Sequence, residues 1–103
     1  MCIRDSAYIG ANAKLHDNSV INVHATVGHD VIIGHSSFLG PNSSFLGNAM
    51  CGEKVFIGNN STVSVGVKIG SQSKLSYNSI LNTNCPQKSL ASGIPAKFRQ
   101  MYK

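Results

Sequence analysis

Every sixth residue from Ile9 to Leu81 is apolar: Ile9, Leu15, Ile21, Val27, Ile33, Leu39, Phe45, Cys51, Ile57, Val63, Ile69, Leu75 and Leu81. In a chain that is 42% apolar, thirteen hits in one register is roughly a 10⁻⁵ event. Four residues after each of these comes a small or β-branched residue: Ala13, Ser19, Ala25, Val31, Ser37, Ser43, Ala49, Val55, Ser61, Val67, Ser73, Ser79 and Cys85. The residue directly after the apolar one is Gly at 10, 28, 34, 40, 52, 58 and 70, and Asn at 22 and 82. A large inward residue, a tight corner that favours Gly or Asn, and a small inward residue make one short straight side and its turn. Three such sides close a triangular coil of about 18 residues, and coils stack about 4.8 Å apart by backbone hydrogen bonding.

From residue 7 to residue 86 this pattern resembles the hexapeptide repeat of the left-handed parallel β-helix, and the hand comes from that resemblance. The expected fold is all-β, a solenoid of about four coils over 7–86. Residues 1–6 depart from the repeat and read as a non-native leader. Residues 87–103 read as a C-terminal extension carrying the turn Gly93-Ile94-Pro95-Ala96-Lys97. A prism this narrow has a thin core, so association is a source of extra stability. By resemblance the expected assembly is a homotrimer packed side by side.

Cys51 falls on a large inward position and Cys85 on a small one, so both read as buried thiols, while Cys2 lies outside the repeat. No disulfide framework or metal-ligand spacing is present, which favours a reducing, cytoplasmic setting. No apolar run is long enough for a membrane span. The net charge of +5 is concentrated: residues 1–51 sum to −1 and residues 52–103 to +6. Such a field suits a ligand bearing several phosphates. Nucleic acid is disfavoured, because the lysines are spread over separate coils with no aromatic stacking platform between them.

The four histidines, at 16, 24, 29 and 35, all avoid the inward positions and so stand on corners or outward faces. His29 and His35, one hexapeptide apart, project from different corners and cannot share a metal within one chain. His24 and His29 lie on adjacent corners, which leaves an interfacial metal open. His29 is followed by Asp30; an imidazole titrates near neutral pH, and a carboxylate can hold its tautomer. Adjacent side chains on a regular strand diverge, but at a corner they can meet.

The run Ile21-Asn22-Val23-His24-Ala25-Thr26-Val27-Gly28-His29-Asp30-Val31-Ile32-Ile33-Gly34 is similar to the signature of the NeuD/PglD-type sugar O-/N-acyltransferases. The likeness continues through Gly47-Asn48, Val55-Phe56-Ile57-Gly58, Val67-Lys68-Ile69-Gly70 and Gly93-Ile94-Pro95-Ala96-Lys97. It implies an enzyme that moves an acetyl group from acetyl-CoA to an amine or hydroxyl of a sugar or nucleotide sugar, by direct transfer and without a metal. In that reading His29 is the general base and Asp30 orients it. Gly47, 18 residues on and stacked on the same corner, offers a backbone N–H to the thioester oxygen. The resemblance also implies that CoA lies between two subunits, along Phe38, Gly47, Asn59 and Tyr77. The turn with Gly93, Pro95 and Lys97 then stands near its far end, and Lys97 and Arg99 serve as phosphate contacts.

Three positions depart from the family pattern. Phe38 stands where the family often has a second His, Tyr77 where a small residue is usual, and Gly28 where a larger polar residue is common. The family's small nucleotide-sugar-binding α/β domain is not represented in this stretch. Two other readings share the fold. One is a γ-class carbonic anhydrase-like zinc lyase, whose paired histidines His24 and His29 imitate. The other is a non-catalytic trimeric scaffold, in which His29 and Asp30 are turn residues.

Overall fold

The structure, a computed structural model, describes residues 2–3 and 7–100, with side chains from 7 to 97. It is all-β, a parallel solenoid whose rungs fall on three faces. Face A stacks β1 (Cys2–Ile3), β4 (Val20–Ile21), β7 (Phe38–Leu39), β10 (Phe56–Ile57), β13 (Lys74–Leu75) and β15 (Ser89–Gly93), closed by antiparallel β16 (Ala96–Gln100). Face B stacks β2 (Tyr8–Ile9), β5 (Thr26–Val27), β8 (Ser44–Phe45), β11 (Thr62–Val63) and β14 (Ile80–Leu81). Face C stacks β3 (Lys14–Leu15), β6 (Ile32–Ile33), β9 (Met50–Cys51) and β12 (Lys68–Ile69). We name the corners AB, BC and CA after the faces they join.

The period of six places each strand's second residue inward, and Ile21, Val27, Ile33, Leu39, Phe45, Ile57, Val63 and Leu81 are wholly buried. Burying each such side chain is worth about 1.5–3 kcal/mol, so the axial column is the main source of stability. The small inward positions do more than save space. Ser37 Oγ donates to the carbonyl of Gly52 at 3.0 Å and accepts from the N–H of Val55 at 3.2 Å, tying successive coils together. Ser19, Ser43, Ser61 and Ser73 also donate to corner carbonyls. Among the described residues no buried side-chain polar atom lacks a partner.

The corners are made differently from the expectation. The left-handed residue lies three positions after the inward apolar one, with φ between 56° and 72° at every sixth residue from Asn12 to Asn78. Asn occupies half of these twelve positions, because its short polar side chain tolerates that conformation. The glycines one position after the apolar residue answer another need, close approach of the coils. A Cβ on Gly34 would overlap the carbonyl oxygen of Gly52.

Two boundaries differ as well. Cys2–Ile3 pairs in parallel with Val20–Ile21, and Ile3 stands six residues before Ile9, so the rung pattern reaches into the segment read as a leader. Met1 and residues 4–6 lie outside the described residues, as do residues 101–103 of the extension. At the other end the coil loses two residues: Val63 pairs with Leu81, 18 positions on, but Ile69 bridges Cys85 and Leu75 pairs with Ala91, each 16 on. Cys85 therefore continues the large inward column of Ile33, Cys51 and Ile69 instead of taking a small position. With β15 as the sixth parallel rung of face A, the solenoid makes about five turns, one more than expected.

Candidate active site

Corner BC carries His29 and, one coil on, Gly47. His29 Nδ1 lies 3.2 Å from Asp30 Oδ2, close enough for the ring N–H to donate to the carboxylate. The two neighbours meet because Asp30 takes the left-handed conformation, φ 58°, which swings its side chain back toward the residue before it. The imidazole then lies over Gly47: a Cβ there would fall on His29 Nε2 and within 2.7 Å of its Cε1. Asn48 N–H donates to the His29 carbonyl at 2.9 Å, and Gly47 accepts from Gly66 N–H at 3.0 Å. The N–H of Gly47 makes no hydrogen bond among the described residues. Both side chains of the pair are mostly exposed, so their attraction adds little to stability. What the arrangement fixes is chemistry: Nδ1 is tied to an acid, while Nε2 sits beside an unpaired backbone donor.

The other histidines lack this arrangement. His16 and His35 belong to corner CA and His24 to corner AB, so His24 and His29 do not meet within the chain. His35 Nε2 is taken by Glu53 Oε1 at 2.9 Å and its Nδ1 lies 3.4 Å from Ser36 Oγ, so neither ring nitrogen is free. The residue 18 after His35 is an acid, where His29 has a glycine. Among the described residues no group of three His, Cys, Asp or Glu side chains is placed to hold a metal ion.

The residues expected along CoA separate into two sets. Gly47 shares corner BC with His29. The same corner continues through Val65 to Asn82 and Thr83, where it is two residues shorter. There a cleft of about 320 Å³ opens, lined by Asn82, Thr83, Pro95, Ala96 and Lys97. Gly93 and Pro95 lie in the β15–β16 turn, Gly93 with φ 105° and Pro95 after a cis peptide bond. Lys97 is exposed at the cleft; the side chain of Arg99 lies outside the described ones.

The second set stands across the coil, Phe38 on face A half a turn from corner BC, and Asn59 and Tyr77 on corner AB a third of a turn from it. The Phe38 ring stacks on Phe56 with centroids 5.3 Å apart and planes 4° apart. Tyr77 meets Phe56 edge-on at 6.4 Å and is 62% exposed. Asn59 folds over Gly40, where a Cβ would lie 2.7 Å from its Oδ1. Sequence reasoning missed Phe56, although it stands one 18-residue coil after Phe38. It also missed the cleft, whose signal is the early return of an inward residue at Cys85. Burial pushes the thiols of Cys51 and Cys85 above their ordinary 9.0, which marks both as core groups.

No protein-family model matches the chain. It is 31% identical over 90 residues to the acyl-(acyl-carrier-protein)-UDP-N-acetylglucosamine O-acyltransferase of Nautilia profundicola, covering 87% of this chain and 35% of that protein. A His-to-Ala variant of the GDP-perosamine N-acetyltransferase of Caulobacter crescentus, solved with CoA and GDP-perosamine, superposes with a TM-score of 0.90 and 29% identity. That match covers 95% of this chain and 50% of the other. The acetyltransferase domain of PglB from Neisseria gonorrhoeae matches with a TM-score of 0.84 and 25% identity, over 93% and 53% of the two chains. The chain thus spans about a third of the curated relative and about half of the solved structures. In fold and in sequence it is similar to the sugar acyltransferases of the hexapeptide-repeat, left-handed β-helix superfamily, and its coil is built on their plan.

Proposed function

We propose that this chain is the β-helical part of an acetyl-CoA-dependent acyltransferase, which transfers an acetyl group to an amine or hydroxyl of a nucleotide sugar in the cytoplasm. The carrying observation is the His29 imidazole, held through Nδ1 by Asp30 and presenting Nε2 over Gly47. As general base, His29 takes the proton from the acceptor nitrogen or oxygen as that atom attacks the thioester carbonyl, a contribution of typically 10²–10⁴ in rate. Asp30 holds the tautomer and stabilises the imidazolium that forms. The Gly47 N–H donates to the carbonyl oxygen as negative charge develops there, and removing a donor of this kind costs roughly 3 kcal/mol of barrier. The CoA thiolate leaves and takes the proton back from His29. A thiolate is a good leaving group, so the transfer is direct and needs no acyl-enzyme.

The similarity to a protein solved with CoA and GDP-perosamine supports both the donor and the acceptor class. The division of the CoA residues between corner BC and face A supports a trimer. One prism cannot close both sets on one ligand, whereas corner BC of one subunit can face the aromatic wall of its neighbour. The test is His29→Ala. Acetyl transfer to a nucleotide-linked amino sugar should fall by about 10²–10⁴, while the trimer by sedimentation and CoA affinity by calorimetry stay unchanged. Loss of the trimer would make His29 a structural residue and overturn its assignment. Stoichiometric zinc in active, purified protein would favour the lyase reading.

A further inference from the structure

The outward column of face A changes character along the coil axis, running Val20, Phe38, Phe56, Lys74 in register. We infer that Lys74 is a donor-binding residue that takes the diphosphate of acyl-CoA, across the subunit groove from the cleft at Lys97. The inference rests on the acyl-CoA reading above.

The geometry follows from the coil. Eighteen residues advance the chain by one strand spacing, about 4.8 Å, so sequence position sets axial level. Phe38 lies nine residues after His29 and nine before Gly47, halfway between them along the axis. Levels are preserved among parallel copies arranged around an axis, so a neighbour's Phe38 stands at the height of the thioester. Lys74 pairs in register with Phe56, which pairs with Phe38, so it stands two rungs further, roughly 10 Å. From the sulfur to the first phosphorus, the pantetheine arm has thirteen bonds, roughly 15 Å at the rise of an extended backbone. The flexible four-carbon stem of lysine spans the difference and brings its ammonium to the phosphates. The apolar rings of Phe38, Phe56 and Tyr77 then lie alongside the arm.

Charge agrees with this placement. Lys74 is exposed and has no ion-pair partner among the described residues. The described acids are Asp17, Asp30 and Glu53, all on corners, and Asp30 and Glu53 already face His29 and His35. Face C offers an internal comparison: its column Lys14, Ile32, Met50, Lys68 also carries lysine but no aromatic ring.

The experiment compares acetyl-CoA with S-acetylpantetheine, which keeps the arm and lacks the diphosphate, by calorimetry on the full chain. Lys74→Ala should weaken acetyl-CoA by about tenfold and leave S-acetylpantetheine unchanged, and Lys74→Arg should retain affinity. Equal acetyl-CoA affinity in Lys74→Ala and wild type would overturn the inference. So would an equal loss for both ligands, which marks a structural effect, or the same loss in Lys68→Ala, which marks general surface charge. A wild-type protein that does not bind acetyl-CoA would instead overturn the donor reading itself, and this inference with it.

Discussion

Gly47→Ala separates stability from catalysis within one methyl group. The new Cβ would lie 2.7 Å from Cε1 of His29 and nearer still to Nε2. Carbon contacts settle at about 3.5–4 Å, so the imidazole must retreat by about 1 Å or more. A misplacement of that size costs about 10² in rate at a positioned catalytic group. Stability should move the other way. Gly47 does not have a positive φ, so alanine fits its backbone, and His29 is mostly exposed and can swing into solvent. Replacing Gly by Ala in an unstrained conformation stabilises by about 0.4–1 kcal/mol through the unfolded chain. For a chain of this length that raises Tm by about 2–6 °C. The assay is thiol release from acetyl-CoA with a nucleotide-linked amino sugar as acceptor, read beside a thermal melt. A variant with turnover within threefold of wild type would refute the role given to the ring over Gly47. A fall in Tm would refute the claim that this glycine serves the imidazole and not the fold.

Three further outcomes follow from the coil. Ser37→Ala strips the Val55 N–H and the Gly52 carbonyl of a shared partner, so it should cost about 1–3 kcal/mol, seen as a lower urea midpoint. Lys54→Asn replaces a long side chain at φ 57° with one suited to that conformation, and should raise stability by up to about 1 kcal/mol in the same measurement. Burial raises the Cys51 pKa above 9.0, so the unfolded chain releases this proton first. The stabilising contribution is complete below that value and is lost as pH rises through the higher folded pKa, so Cys51→Ala should flatten the alkaline decline of stability.

The axial column was legible because it depends on one side-chain property repeated at fixed spacing. Leu39, Phe45 and Ile57 are buried for the same reason, and the sequence carries that reason directly. The corners were less legible, because two physical demands act near each turn: Gly34 avoids the coil below, whereas Asn42 adopts the left-handed conformation. Composition alone merges them. The pair His29-Asp30 was readable as neighbours at a turn, and the 18-residue stack brought Gly47 beneath them. Phe56 escaped notice because an outward phenylalanine has no signature until it is paired with Phe38. The cleft escaped notice because it depends on pairing register, and only the bridge from Ile69 to Cys85 reveals the shortened corner.

That shortened corner bears on how such a chain tolerates change. With three faces of two-residue strands, the coil behaves as a reading frame: one residue gained or lost within a rung would turn each later inward side chain toward solvent. From Val63 to Ile69 the chain uses six residues to pass corner BC, yet from Leu81 to Cys85 it uses four and still returns with its apolar residue inward. The frame can therefore be broken and restored within a single corner. Changes in length should collect at corners, and one at BC alters the groove that leads from His29 while leaving the core beside it in phase.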